Sequence, residues 1–221
     1  MRRIFLVLLT LLTGSLQAQP QPGAALAGRV DGKVYIAPGG TFRIAIPVLP
    51  ELGGAINDTP NVVTFQDQFN VHVSIGAFPM DASQRWELST RGLKDYLHYF
   101  FDTFVMSDFQ NLFPNASVES SHYLPDLMKG AYVAYTLLPG GSMFADRRAI
   151  GGDSEGPPVA KRGNLVFVRS GMVYVISTEL AERVIERSAY KKTPAEEDEI
   201  LHQRLEDIVK KMEFTRPATD S

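Results

Sequence analysis

Short runs of alternating apolar and polar residues, separated by turn residues, organise most of this chain. Thr41 to Ile46 sets Phe42, Ile44 and Ile46 on one face and Thr41, Arg43 and Ala45 on the other. That period of two predicts a half-buried strand, stopped by Pro47. Gly28 to Val30 and Lys33 to Ala37 flank Asp31-Gly32, a hairpin signal. Val48 to Pro60, with Pro50 and Gly53-Gly54, reads as a loop. Asn61 to Phe65 and Phe69 to Phe78 are β-rich runs around Asp67-Gln68. The second sets Phe69, Val71, Val73 and Ile75 against Asn70, His72 and Ser74.

The period then lengthens. Leu93, Leu97, Phe100 and Phe104 follow helical spacing, and Tyr96, Phe101 and Phe109 widen the apolar face. Ser89 or Thr90 is the expected cap, and Pro114-Asn115 the end. Strands are expected at Ser117 to Leu124 and Ala131 to Leu138, joined through Pro125-Asp126. A hairpin follows at Asn164 to Arg169 and Met172 to Thr178, turning at Ser170-Gly171. Between these pairs lies the longest irregular stretch, Pro139 to Gly163, punctuated by Gly140-Gly141, Gly151-Gly152 and Pro157-Pro158. A loop of that length inside a domain is uncommon and is usually functional or disordered. Thr193-Pro194 opens a last helix, with Glu196 to Glu199 at its positive end and Leu201, Leu205, Ile208 and Met212 as its buried stripe.

Strands in hairpins with one central and one terminal helix predict an α+β fold, a curved antiparallel sheet with helices packed on its faces. Gly40-Thr41-Phe42-Arg43-Ile44-Ala45-Ile46-Pro47 resembles the opening G-x-F-x-I-x-I-P strand of Mog1/PsbP-like domains. The Gly163 to Thr178 hairpin and the closing Val209-Lys210-Lys211-Met212-Glu213-Phe214 fit the same element order, so the resemblance covers most of residues 33 to 214. It implies an α/β/α sandwich and, from the habits of that superfamily, an exported or lumenal accessory or binding role. It carries no catalytic motif. The long Pro139 to Gly163 loop departs from the pattern.

The first residues change the expected location. Arg2 and Arg3 precede an apolar run from Ile4 to Leu12, followed by Gly14, Ser15 and Ala18. This is the layout of a cleavable export signal, and the run is far shorter than the roughly 20 residues of a membrane span. Cleavage is expected after Ala18, with Ala25-Leu26-Ala27 as a second small-x-small site. Residues 1–18 are thus read as signal peptide, 19–27 as a flexible leader and 28–216 as one domain, in the periplasm or outside the cell. With no cysteine in the chain, lipid anchoring, disulfides and Cys-type zinc sites are excluded.

Lys and Arg total 22 against 25 Asp and Glu, an acidic balance that argues against nucleic-acid binding. His72, His98, His122 and His202 show no metal-ligating spacing. Phosphate-cradling glycine motifs and G-x-S-x-G are missing, so no cofactor and no metal are expected. Ser188-Ala189-Tyr190-Lys191 matches S-x-x-K without its companion motifs. The best binding candidates lie in the long loop: Met143, Phe144, Arg147, Arg148, Lys161 and Arg162. Apolar residues beside cations suit an envelope protein with an acidic rim or a membrane surface. Three roles stay open: a non-catalytic accessory or binding module, a small-ligand carrier with a cavity between the aromatic helix and the sheet, and an enzyme assembled around His72 and His122.

Overall fold

The structure, a computed structural model, describes residues 26–144 and 158–215. Strands β1 (Arg29–Asp31) and β2 (Val34–Ile36) turn at Gly32, and β3 (Phe42–Ala45) follows. After β4 (Ala55–Asp58), β5 (Val62–Gln66) and β6 (His72–Pro79) come three helices: α1 (Ala82–Arg91), α2 (Leu93–Phe100) and α3 (Ser107–Leu112). A π-helical segment, Phe101–Met106, joins α2 to α3. Strands β7 (Ser117–Leu124), β8 (Ala131–Pro139), β9 (Val159–Arg169) and β10 (Met172–Glu179) precede α4 (Ala181–Glu186), α5 (Pro194–Lys210) and β11 (Met212–Phe214).

Seven strands form one antiparallel sheet in the order β4-β5-β6-β10-β9-β8-β7, and four form a smaller one, β1-β2-β3-β11. The large sheet is apolar on both faces. Against one face pack Tyr96, Leu97, Phe100, Phe101 and Met106, which meet Tyr132, Val166, Val173 and Val175. Against the other pack Tyr35, Phe42 and Ile44 of the small sheet with Leu201, Leu205 and Ile208 of α5. Both faces are therefore covered, as expected for an α+β sandwich. Gly163 lets α5 come close: a Cβ there would lie 3.0 Å from Leu205 Cδ1 and 3.1 Å from Leu201 Cβ.

Five elements differ from the sequence reading. Strand β4 lies inside the Val48 to Pro60 stretch, because Gly54 turns the chain back onto Leu49 O and the short run then pairs with β5. The helical region begins at Ala82 rather than near Ser89: Asp81 accepts from Gln84 N as the cap, and Gly92 separates α1 from α2. Strand β9 starts at Val159, so Lys161, Arg162 and Gly163 belong to the sheet rather than to the irregular stretch. Helix α4 fills the charged segment after β10, and Met212–Phe214 leaves the helix to pair with β3. At the edge, β7 carries a bulge between Val118 and Ser120, and the Glu119 carboxylate between them reaches back to Lys161.

Candidate functional site

Strand alternation sends Lys161 and Arg162 to opposite faces of the sheet. Lys161 points to the α5 side, where its side chain is 0% exposed. Its ammonium lies 3.1 Å from Glu197 and 2.6 Å from Asp198, donates to Pro194 O at 3.2 Å, and also meets Glu119. Arg183 of α4 clasps both Glu197 oxygens at 2.6 and 2.7 Å. Burial pulls the Lys161 pKa down, but hydrogen bonds to Asp198, Glu119 and Glu197 outweigh it and leave the pKa raised above that of an ordinary lysine.

Arg162 points to the other face, the one covered by α2 and α3. Its guanidinium donates to Glu179 Oε2 from Nε at 3.2 Å and from Nη2 at 3.1 Å, and to Gly141 O at 3.2 Å. Glu179, itself fully buried, also accepts from Ser142 Oγ at 2.5 Å and from Met143 N at 3.2 Å. Phe144 is 2% exposed and packs with Ala181 and Val184 of α4. Beside this clasp Asn164 donates to Ala134 O and Thr136 Oγ1, and accepts from Ser177 Oγ at 2.8 Å. The result is a hydrogen-bonded polar seam across four strands at one end of the sheet. His72 sits in the same seam. Burial, and then the Arg162 charge, hold its pKa well below the ordinary imidazole value, so the ring is neutral at pH 7.

The six loop residues singled out in the sequence thus separate. Met143 and Phe144 stand at the foot of the connection, half-buried and buried, and Lys161 and Arg162 are interior ion-pair residues. Arg147 and Arg148 lie outside the described residues. His72 on β6 and His122 on β7 are four strand spacings apart, roughly 19 Å at about 4.8 Å per strand, which removes the histidine-centred enzyme site. The aromatic stripe packs as core, with Phe100 and Phe104 ring centroids 4.9 Å apart and Phe101 and Tyr132 5.6 Å apart. A cleft lined by Tyr35, Phe42, Asn61 and Ile75 has about 10 Å³ of room, the scale of one water. Among the described residues no three His, Asp or Glu side chains are placed to hold a metal ion, and no helix is long and apolar enough to cross a membrane.

Chemically, the seam is built for holding rather than reacting. Ser142 donates to a carboxylate already engaged by arginine, and Ser177 donates to an amide oxygen, so neither hydroxyl is paired with a histidine or lysine. Sequence reasoning missed Glu119, Glu179, Arg183 and Glu197 as partners. Their only signal was charge on strands and helices, and the register that unites them is not local.

No family model matches the sequence, and no curated protein matches it. Solved structures do. The solution structure of cyanobacterial PsbP (CyanoP) from Synechocystis sp. PCC 6803 aligns with a TM-score of 0.50 at 12% identity, covering 88% of this chain and 100% of that one. The crystal structure of the Ran-binding protein Mog1p of Saccharomyces cerevisiae aligns with a TM-score of 0.48 at 9% identity, covering 86% and 96%. The chain has a Mog1/PsbP-like fold.

Proposed function

We propose that this protein is an exported, non-catalytic accessory or binding module of the cell envelope. The observation that carries the reading is how its interior charges are used. Lys161, Arg162, Glu179 and Glu197 are all committed to one another, to Arg183 or to the foot of the long connection. Charges spent in this way position a segment and take no part in a reaction. What they position is the start of the β8–β9 connection, which includes the Arg147-Arg148 pair. That pair is the proposed contact for a protein partner with an acidic rim, because Arg favours hydrogen-bonded recognition of carboxylates at interfaces. Export is proposed from the Arg2-Arg3 start and the Ile4 to Leu12 run.

Crosslinking and pull-down of the tagged full chain from the exported fraction tests the binding role. The wild type is expected to retain a macromolecule that a variant lacking residues 145–157 loses. Equal retention by both, or none by either, would overturn it. Intact-mass measurement of the same fraction tests export: the chain is expected to begin at Gln19, and material beginning at Met1 would sink the proposal.

A further inference from the structure

The foot of the long connection is held over a histidine. Strand register sets Gln66 opposite His72, and Thr178 opposite Val73, so Glu179 is next in line on the other side of His72 and itself faces Arg162. Residues opposite one another in an antiparallel sheet share a face. Gln66, His72, Glu179 and Arg162 therefore form one row. The two residues flanking His72 both grip Met143: Glu179 accepts from its N–H at 3.2 Å, and Gln66 Nε2 donates to its carbonyl at 3.4 Å. Met143 is thus fastened across the imidazole, which is 4% exposed and whose Nδ1 has no hydrogen-bond partner among the described residues.

We propose that His72 is an acid-sensitive latch: when its ring takes up a proton, the segment Ser142 to Phe144 leaves its seat on the sheet and on α4. A second cation beside Arg162, sealed from water, has two ways to be relieved. Water can enter, which requires Met143 to move. Alternatively Glu179 can accept from the imidazolium. That carboxylate already takes two bonds from Arg162, one from Ser142 and one from Met143, so a new donor displaces an old one. Either route loosens the same segment.

The other charged groups around the row leave His72 as the sensor. The Asp67 carboxylate is used by the N–H groups of Phe69, Asn70 and Val71. On α3, burial raises the carboxyl of Asp108, next to Phe109, whose ring lies 5.9 Å from the Arg162 guanidinium. Glu182 of α4 is paired with Arg204. The sign is that of a buried neutral histidine. The closed state holds the pKa below the ordinary value of about 6.5 and the open state restores it, so closure weakens as pH falls through that value.

Hydrogen exchange at the Met143 and Phe144 amides of the full chain, corrected for the intrinsic effect of pH, reads the latch. In the wild type their protection is expected to fall by up to about tenfold for each pH unit below about 6.5. In His72→Phe, which cannot take a proton, protection should stay within about twofold of its neutral value, since a tenfold change per unit needs the titrating group. His72→Gln serves the same purpose should the phenylalanine variant fail to fold. Glu179→Gln should be loose already at neutral pH. An acid loss of the same size in a folded His72 variant, or no acid loss in the wild type, would overturn the proposal.

Discussion

Around Lys161, one ammonium and the Arg183 guanidinium answer three carboxylates, drawn from β7 and α5. Buried ion pairs add little net stability when compared with apolar replacements, but removing one partner strands the others and costs about 3–5 kcal/mol. Lys161→Ala is therefore expected to lower unfolding stability by about that amount in a urea titration at pH 7. The raised pKa also fixes an alkaline limit. A lysine whose folded pKa exceeds its unfolded value contributes fully below about 10.5 and loses that contribution as pH rises through the folded value. The wild type should lose stability over that window, and Lys161→Met should lose less. None of this was legible locally. Lys161-Arg162-Gly163 reads as the end of a polar loop until its backbone is seen paired with β8 and β10.

Strands with a full period of alternation and the capped α5 were read from the sequence, whereas the Asp81-capped α1 and the shortest strands were not. Helix α5 carries its own start: Thr193 caps Glu196 N, Glu196 returns the bond to Thr193 N at 2.8 Å, and Pro194 is preset for the first turn. Thr193→Ala should destabilise by about 1 kcal/mol, measurable as a lowered urea midpoint. Strands β4 and β11, of four and three residues, have no periodicity long enough to read, and exist because β5 and β3 pair with them. Docking of α5 rests on Gly163. Gly163→Val would push a branched side chain into Leu201 and Leu205, and an overpacking loss of about 1–3 kcal/mol is expected by the same titration.

At the scale of the molecule, the antiparallel, helix-covered class was visible in the spacing of hairpin signals, but the strand order was not. Turn residues announce β9-β10 and β7-β8. Nothing nearby announces that β6 lies against β10, across almost a hundred residues of intervening chain. That pairing unites the two cores, since both lie on the same strands. Phe100→Ala on one face and Leu205→Ala on the other should each lower a single shared melting transition, by about 3–5 and 2–5 kcal/mol respectively. Two separate transitions in calorimetry would contradict this. The edge strand β7 gives the ion cluster a further meaning. An exposed strand edge is a template on which other molecules can stack, and a kink with an inward-turned charge is a recognised protection against it. Here the kink holds Glu119, and Lys161 is what draws Glu119 inward. Replacing Lys161 would therefore do more than weaken the fold: it would free Glu119 from its inward turn and leave a guarded strand edge open to pairing.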